Sequence, residues 1–170
     1  GNLAGDFVHG RLEGRFDPRL ENGIRMHRRV DSFTDGHPVA GRRRRRFPER
    51  WKHTTRILVD VFYDRLFYEE WSRFSDLPFD EFRRKRYAQL EAAIDLAPGR
   101  LREFLPLMIR DDFLAASTTD ERLARSLRRI ASRLRGDWPL EEALPDFLRL
   151  HDELRADFLE FFPQLIAVTC

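Results

Sequence analysis

The chain has 170 residues, 42% of them hydrophobic and 35% charged, and its net charge is only +2. That length supports one domain with a substantial core. No apolar run approaches the roughly 20 residues a membrane helix needs, and the single cysteine, Cys170, excludes an internal disulfide framework and a thiolate zinc site. A cytoplasmic protein with no membrane partner is the simplest account.

Strand signals are nearly absent, whereas helix signals recur throughout. The expected fold is all-α, a single-domain helical bundle over residues 1–170. The opening GNLAGDF reads as the middle of an element, as though an N-terminal segment were missing. Residues 2–9 are expected to be helical, with Asp6 beside Phe7, and Gly10 and Gly14 mark the loop that follows. Asp17-Pro18 reads as an N-cap and first helical residue, and Gly36 ends that helix. Pro38 opens a short helix, and Pro48 separates it from a long one over residues 49–74, whose apolar face includes Ile57, Val61, Tyr68 and Trp71. Asp80 is expected to cap a helix to about residue 95 with Phe82, Leu90 and Ile94 in the core, and Pro98-Gly99 starts the next segment. Thr118 and Glu121 predict a capping box for a helix ending at Gly136. The last helix starts near Pro139 and is kinked or divided by Pro145 and Pro163.

The reactive residues concentrate in the first long helix. Leu20, Ile24, His27 and Asp31 fall on one narrow stripe at about 100° per residue. Two aliphatic residues thus lead into a histidine and an aspartate, and Asp35 and His37 follow at once. Ionisable groups are costly to bury unless they pair or hold a metal. A purely structural reading remains open, in which Asp31 accepts a hydrogen bond from His27 and Asp35 caps the next helix. The pattern recurs, however: Asp60 and Asp64 lie one turn apart, within about 60° of Ile57. Two such carboxylates repel unless a cation or proton lies between them, which favours a metal or acid–base site. His9, His53 and His151 are assigned no role.

Only Lys52 and Lys85 are lysines. Arginine grips carboxylate and phosphate bidentately, which suits an anionic partner, although a GC-rich genome gives the same bias. Arg42, Arg43, Arg44, Arg45 and Arg46 make a helix basic nearly all round, normally a solvated element. Five neighbouring like charges also cost stability, so a docking surface for something acidic is expected there. Nucleic acid is not an expected partner, because net charge is low and no recognition helix stands out.

Residues 1–10 (GNLAGDFVHG), 23–38 (GIRMHRRVDSFTDGHP) and 60–64 (DVFYD) resemble, in this order, the acyl carrier protein phosphodiesterase family. The likeness continues through residues 105–115 (LPLMIRDDFLA) and 157–165 (DFLEFFPQL). It implies an all-helical, HD-domain-like fold and a divalent metal, most often Mn²⁺, with Mg²⁺ or Fe²⁺ as alternatives. It also implies hydrolysis of the phosphodiester joining 4′-phosphopantetheine to the serine of holo-acyl carrier protein, a small acidic partner. Matched to the family's motifs, Asp6, His27, Asp31 and Asp60 are expected at the metal. Asp64 completes that shell or positions water, and Asp35 and His37 serve as outer-shell groups or proton donor. Arg28 or Arg29 holds the phosphate. Two departures are visible: Arg65 stands where the family commonly has histidine, and its histidine-bearing segment ahead of GNL is absent. Two other readings use the same residues, a phosphohydrolase of a nucleotide or other small diester, and a non-catalytic helical binding module.

Overall fold

The structure, a computed structural model, describes residues 2–169; Gly1, which opens the first motif, and Cys170 lie outside the described residues. No strand occurs among the described residues, as expected. The α-helices are α1 (Pro18–Gly36), α2 (Pro38–Arg46), α3 (Thr55–Glu69), α4 (Phe79–Ala92), α5 (Gly99–Arg110), α6 (Asp120–Ala131), α7 (Leu144–Arg149) and α8 (His151–Thr169), with short 3-10 turns between them. They gather into two compact units of interleaved chain, residues 2–36, 80–113 and 164–169 in one, and 37–79 and 114–163 in the other.

In the first unit the 3-10 turn Asn2–Phe7 lies against α1. Ala4, Val8, Leu12, Ile24, Leu101 and Leu105 form the core, with Leu20, Leu90 and Ile94 packed against it. Helix α1 starts where Asp17-Pro18 predicts, since Asp17 Oδ1 accepts the Arg19 N–H at 2.9 Å. That backbone hydrogen bond, ahead of the Arg19 charge, holds the Asp17 carboxyl below the usual range. Glu21 is buried, although nothing in the apolar pattern announces it. It accepts the Phe16 N–H at 3.3 Å and an ion pair from Arg25 at 2.9 Å, which satisfies its charge. Helix α4 begins at Phe79, so Asp80 sits in its first turn, where the helix dipole favours an anion, and is not the cap.

The second unit is built on stacked aromatics: Phe62 lies 5.9 Å from Phe47 and 4.4 Å from Phe147, ring to ring. Here the long helix expected over residues 49–74 is broken into a turn at Glu49–Trp51, then α3, then a turn at Trp71–Arg73. The cause is local competition for the backbone. The Thr54 and Thr55 hydroxyls both donate to the Trp51 carbonyl, at 3.3 and 2.7 Å, while Trp51 Nε1 is anchored on Asp146 at 2.8 Å. The buried face of α3 is Leu58, Val59, Val61, Phe62, Tyr63 and Leu66. Of the face read from the sequence only Val61 is buried, and Tyr68 is exposed.

The arginine run, basic nearly all round and expected to serve as a docking surface, is in part held within the fold. Arg43 is only 4% exposed, its guanidinium 5.1 Å above the Tyr63 ring. Arg42 Nε and Arg46 Nε donate to the two oxygens of Asp157, at 2.8 and 2.7 Å, and Arg42 also pairs with Glu160. Burial would raise the Asp157 carboxyl, but the hydrogen bonds from Arg46 and Arg42 outweigh it and hold it low. Like charges tolerate this crowding because they lie in the last turn of α2, where the helix dipole favours cations, and because a buried acid divides two of them. Further on, Thr119 rather than Thr118 caps α6, accepting the Arg122 N–H at 3.3 Å, and the helix stops at Ala131 well before Gly136. Pro145 marks the start of α7 as expected, whereas Pro163 is accommodated inside α8.

Candidate active site

The apolar stripe of α1 climbs out of the core. Ile24 is fully buried, the His27 side chain is 17% exposed and that of Asp31 is 55% exposed. The turn Asn2–Phe7 brings Asp6 to the same place. His27 Nε2 lies 3.1 Å from Asp31 Oδ2 and 3.4 Å from Asp6 Oδ1. The imidazole can approach because the residue beneath it is Gly5. A Cβ built there would stand 2.7 Å from His27 Cβ and closer still to ring atoms Cγ and Cδ2. These groups line an open cleft of about 360 Å³, together with Val8, His9, Gly10 and Arg28.

The loop bordering this cleft is clamped by guanidinium groups. Arg28 Nη2 donates to the carbonyls of Val8 and Gly10, at 3.1 and 2.8 Å, and Arg15 Nη1 donates to that of His9 at 3.3 Å. Gly10 adopts φ +80°, which a side chain would strain. Arg29 reaches the Val168 carbonyl at 3.3 Å. Arg28 and Arg29, expected to face a phosphate, therefore both hold backbone carbonyls.

The remaining candidates are distributed differently. Asp35 is exposed in the last turn of α1. It does not cap the next helix; His37 does, its Nδ1 accepting the Val39 N–H at 3.2 Å with its ring edge-on to Phe161. In the second unit Asp60 and Asp64 sit one turn apart on α3, both keeping more than a third of their surface open, on the side turned away from Leu58 and Phe62. Protein atoms nonetheless crowd the Asp64 carboxyl. That desolvation first, and the Asp60 charge second, push it up to about 7. Arg65, where the resemblance leads one to expect histidine, pairs along α3 with Glu69 at 2.6 Å, donates to the Ser117 carbonyl ahead of α6 at 3.3 Å and reaches Asp120 at the start of α6 at 3.5 Å.

Does this donor set suit a metal? One imidazole nitrogen facing two solvent-accessible carboxylates, without thiolate, is the chemistry of a hard or borderline divalent cation. Both carboxylates lie against the same imidazole nitrogen, and no three His, Cys, Asp or Glu side chains converge around one point among the described residues. Asp6, His27 and Asp31 are thus brought together, Asp60 and Asp64 form a second pair, Gly5 joins the first cleft without having been singled out, and His9, assigned no role from the sequence, lines that cleft as well. The available signals were the glycine beside Asp6 and a histidine three residues beyond it.

Comparison with known proteins points the same way. Acyl carrier protein phosphodiesterases from Klebsiella pneumoniae strain 342 and Escherichia coli O139:H28 are each 29% identical to this chain, over 98% of it and over 86% and 87% of their own lengths. No solved structure matches. No described helix is long and apolar enough to cross a membrane. A family model described as acyl carrier protein phosphodiesterase matches residues 1–165, and the chain belongs to that family.

Proposed function

We propose that this chain is a metal-dependent phosphodiesterase that removes 4′-phosphopantetheine from the serine of holo-acyl carrier protein, in the cytoplasm. The observation that carries this reading is His27 held between Asp6 and Asp31 in an open cleft, in a chain that matches the family over residues 1–165. Asp6, His27 and Asp31 would hold the cation, most simply Mn²⁺, with Mg²⁺ or Fe²⁺ as alternatives. Such an ion withdraws charge from the phosphoryl oxygens and makes hydroxide available near neutral pH.

The protein's own groups then have these tasks. Water adds to phosphorus, the bond from phosphorus to the serine oxygen breaks, and that oxygen takes up a proton. Asp64, with a carboxyl near neutrality, is suited to accept the proton from water. His37 accepts the Val39 N–H on Nδ1, which leaves Nε2 as the ring nitrogen through which it would pass a proton to the departing serine. Asp35, one turn from Asp31, orients the cation's ligands. Of the arginine run, Arg42, Arg43 and Arg46 are engaged within the fold, which leaves Arg44 and Arg45 to meet an anionic substrate.

The test is to incubate the protein with holo-carrier protein and Mn²⁺, with and without chelator, and follow the carrier's mass. Chelator-sensitive loss of phosphopantetheine is the expected result. Equal or faster turnover of a small phosphodiester would replace this substrate assignment.

A further inference from the structure

The chain is almost neutral overall, yet one cleft collects positive charge. Between α2 and the start of α3 lies an open cleft of about 720 Å³ lined by Arg44, Arg45, Lys52 and Arg56, with Phe47 and Pro48 among its apolar lining. Among the described residues lining it the only acid is Glu49, which Lys52 holds at 2.8 Å. Arg44 and Arg45 are exposed and, among the described residues, make no hydrogen bond or ion pair. The neighbouring Arg42 and Arg46 show what the alternative looks like: where this helix has an acid to bind, its arginines bind it. Helix α3 also begins here without a side-chain cap, so its amino-terminal dipole adds to the positive field.

We infer that this cleft docks an acidic helix of the carrier protein, with Arg44 and Arg45 as the principal contacts and Lys52 and Arg56 extending the field along it. The inference rests on the proposed reading that the substrate is a carrier protein. The warrant is charge complementarity: Arg44 and Arg45 are exposed side by side on a cleft whose lining acid, Glu49, is already held by Lys52, a local excess of positive charge that the net charge of +2 conceals. The cleft's open shape suits a helix laid across it.

The experiment uses the double variant Arg44→Glu/Arg45→Glu, its neutral counterpart Arg44→Gln/Arg45→Gln, and a control with the same charge change on α6, Arg125→Glu/Arg128→Glu. Binding of apo-carrier protein, which has no scissile bond, is titrated alongside steady-state turnover of the holo form over a range of salt. The expected result is that charge reversal weakens apo-carrier binding and raises KM by about tenfold or more, with a shallower salt dependence and little change in kcat. The neutral variant falls between, and the control stays near wild type. Wild-type affinity in the reversed variant, or an equal loss in the control, overturns the inference while leaving the proposed activity intact. Tighter wild-type binding to duplex DNA than to carrier, lost on reversal, overturns it in favour of a nucleic-acid surface. Failure of the wild type both to bind and to hydrolyse carrier removes the substrate reading itself.

Discussion

Gly5 offers the sharpest test of how the first cleft is built. It is buried in the Asn2–Phe7 turn, and a methyl group at its position would lie 2.7 Å from His27 Cβ and nearer still to the ring. Ordinary carbon contacts are about 3.5–4.0 Å, so either the imidazole or the turn carrying Asp6 must move by roughly 1 Å. Because His27 Cβ is itself in the clash, a rotation of the ring alone does not relieve it. Overpacking of this kind costs about 1–3 kcal/mol, which in a chain of this size is a fall of roughly 2–12 °C in Tm. The functional cost is larger: a misplacement of about 1 Å at a reacting centre is worth about 10²-fold in rate. Gly5→Ala is therefore expected to fold, unfold a few degrees early by circular dichroism, and lose most carrier turnover when followed by mass. Gly10→Ala is the comparison, since its added Cβ meets nothing within 4 Å and pays only for a φ of +80°. Undiminished turnover in Gly5→Ala would show that the close packing of His27 on the turn does not matter to activity.

Other expectations follow from the same geometry. His27→Ala and Asp31→Ala should keep the fold to within about 1 kcal/mol, because both side chains are partly exposed. They should nonetheless lose Mn²⁺ retention and at least about a hundredfold in rate; retained Mn²⁺ by electron paramagnetic resonance would remove these two residues from the ligand set. Asp64→Asn is read out as pH dependence, in chelator. A raised carboxyl means that between pH 4 and about 7 the folded state binds more protons than the unfolded one, so stability is highest below that window and falls as pH rises through it. The variant should match wild type near pH 4 and exceed it in Tm at pH 8, and a parallel pH profile would refute the raised pKa. Asp157→Asn strands Arg42 and Arg46 and is expected to cost about 3 kcal/mol at neutral pH, the low end for a broken buried pair because both arginines are partly exposed. Since the Asp157 carboxyl is held low, that stabilisation is present above pH 4 and is lost as wild type itself is protonated below. Urea unfolding at pH 7 and pH 3 should show the gap closing, and a constant gap would contradict the assignment.

Features decided within a few residues could be read directly from the chain. The Asp17-Pro18 start, the Gly36 stop, the Pro38 restart and the Pro145 boundary depend on local φ restrictions and nearby hydrogen bonds, which the sequence carries in place. The pairing of His27 with Asp31 is likewise a one-turn relation along a helix. Asp6 needed the family motif, because nothing local says that a short turn will fold back onto α1.

Other features depended on partners far away in the chain. Helix α3 is apolar on nearly every side, from Ile57 through Leu58, Val59, Val61, Phe62, Tyr63 and Leu66 to Phe67 and Tyr68. Its periodicity therefore admits several inward faces, and the packing of Phe62 between Phe47 and Phe147 selects one of them. Choosing that face turned Asp60 and Asp64 outward, opposite to what the Ile57 stripe implied. The arginine run was equally ambiguous, since five consecutive cations look alike until Asp157, more than a hundred residues on, claims Arg42 and Arg46 and Tyr63 covers Arg43. Arg44 and Arg45 owe their availability to those long-range contacts. A one-dimensional pattern records which residues are apolar or charged, but burial and ion pairing are properties of pairs, and the partner is known only once the chain has folded back on itself.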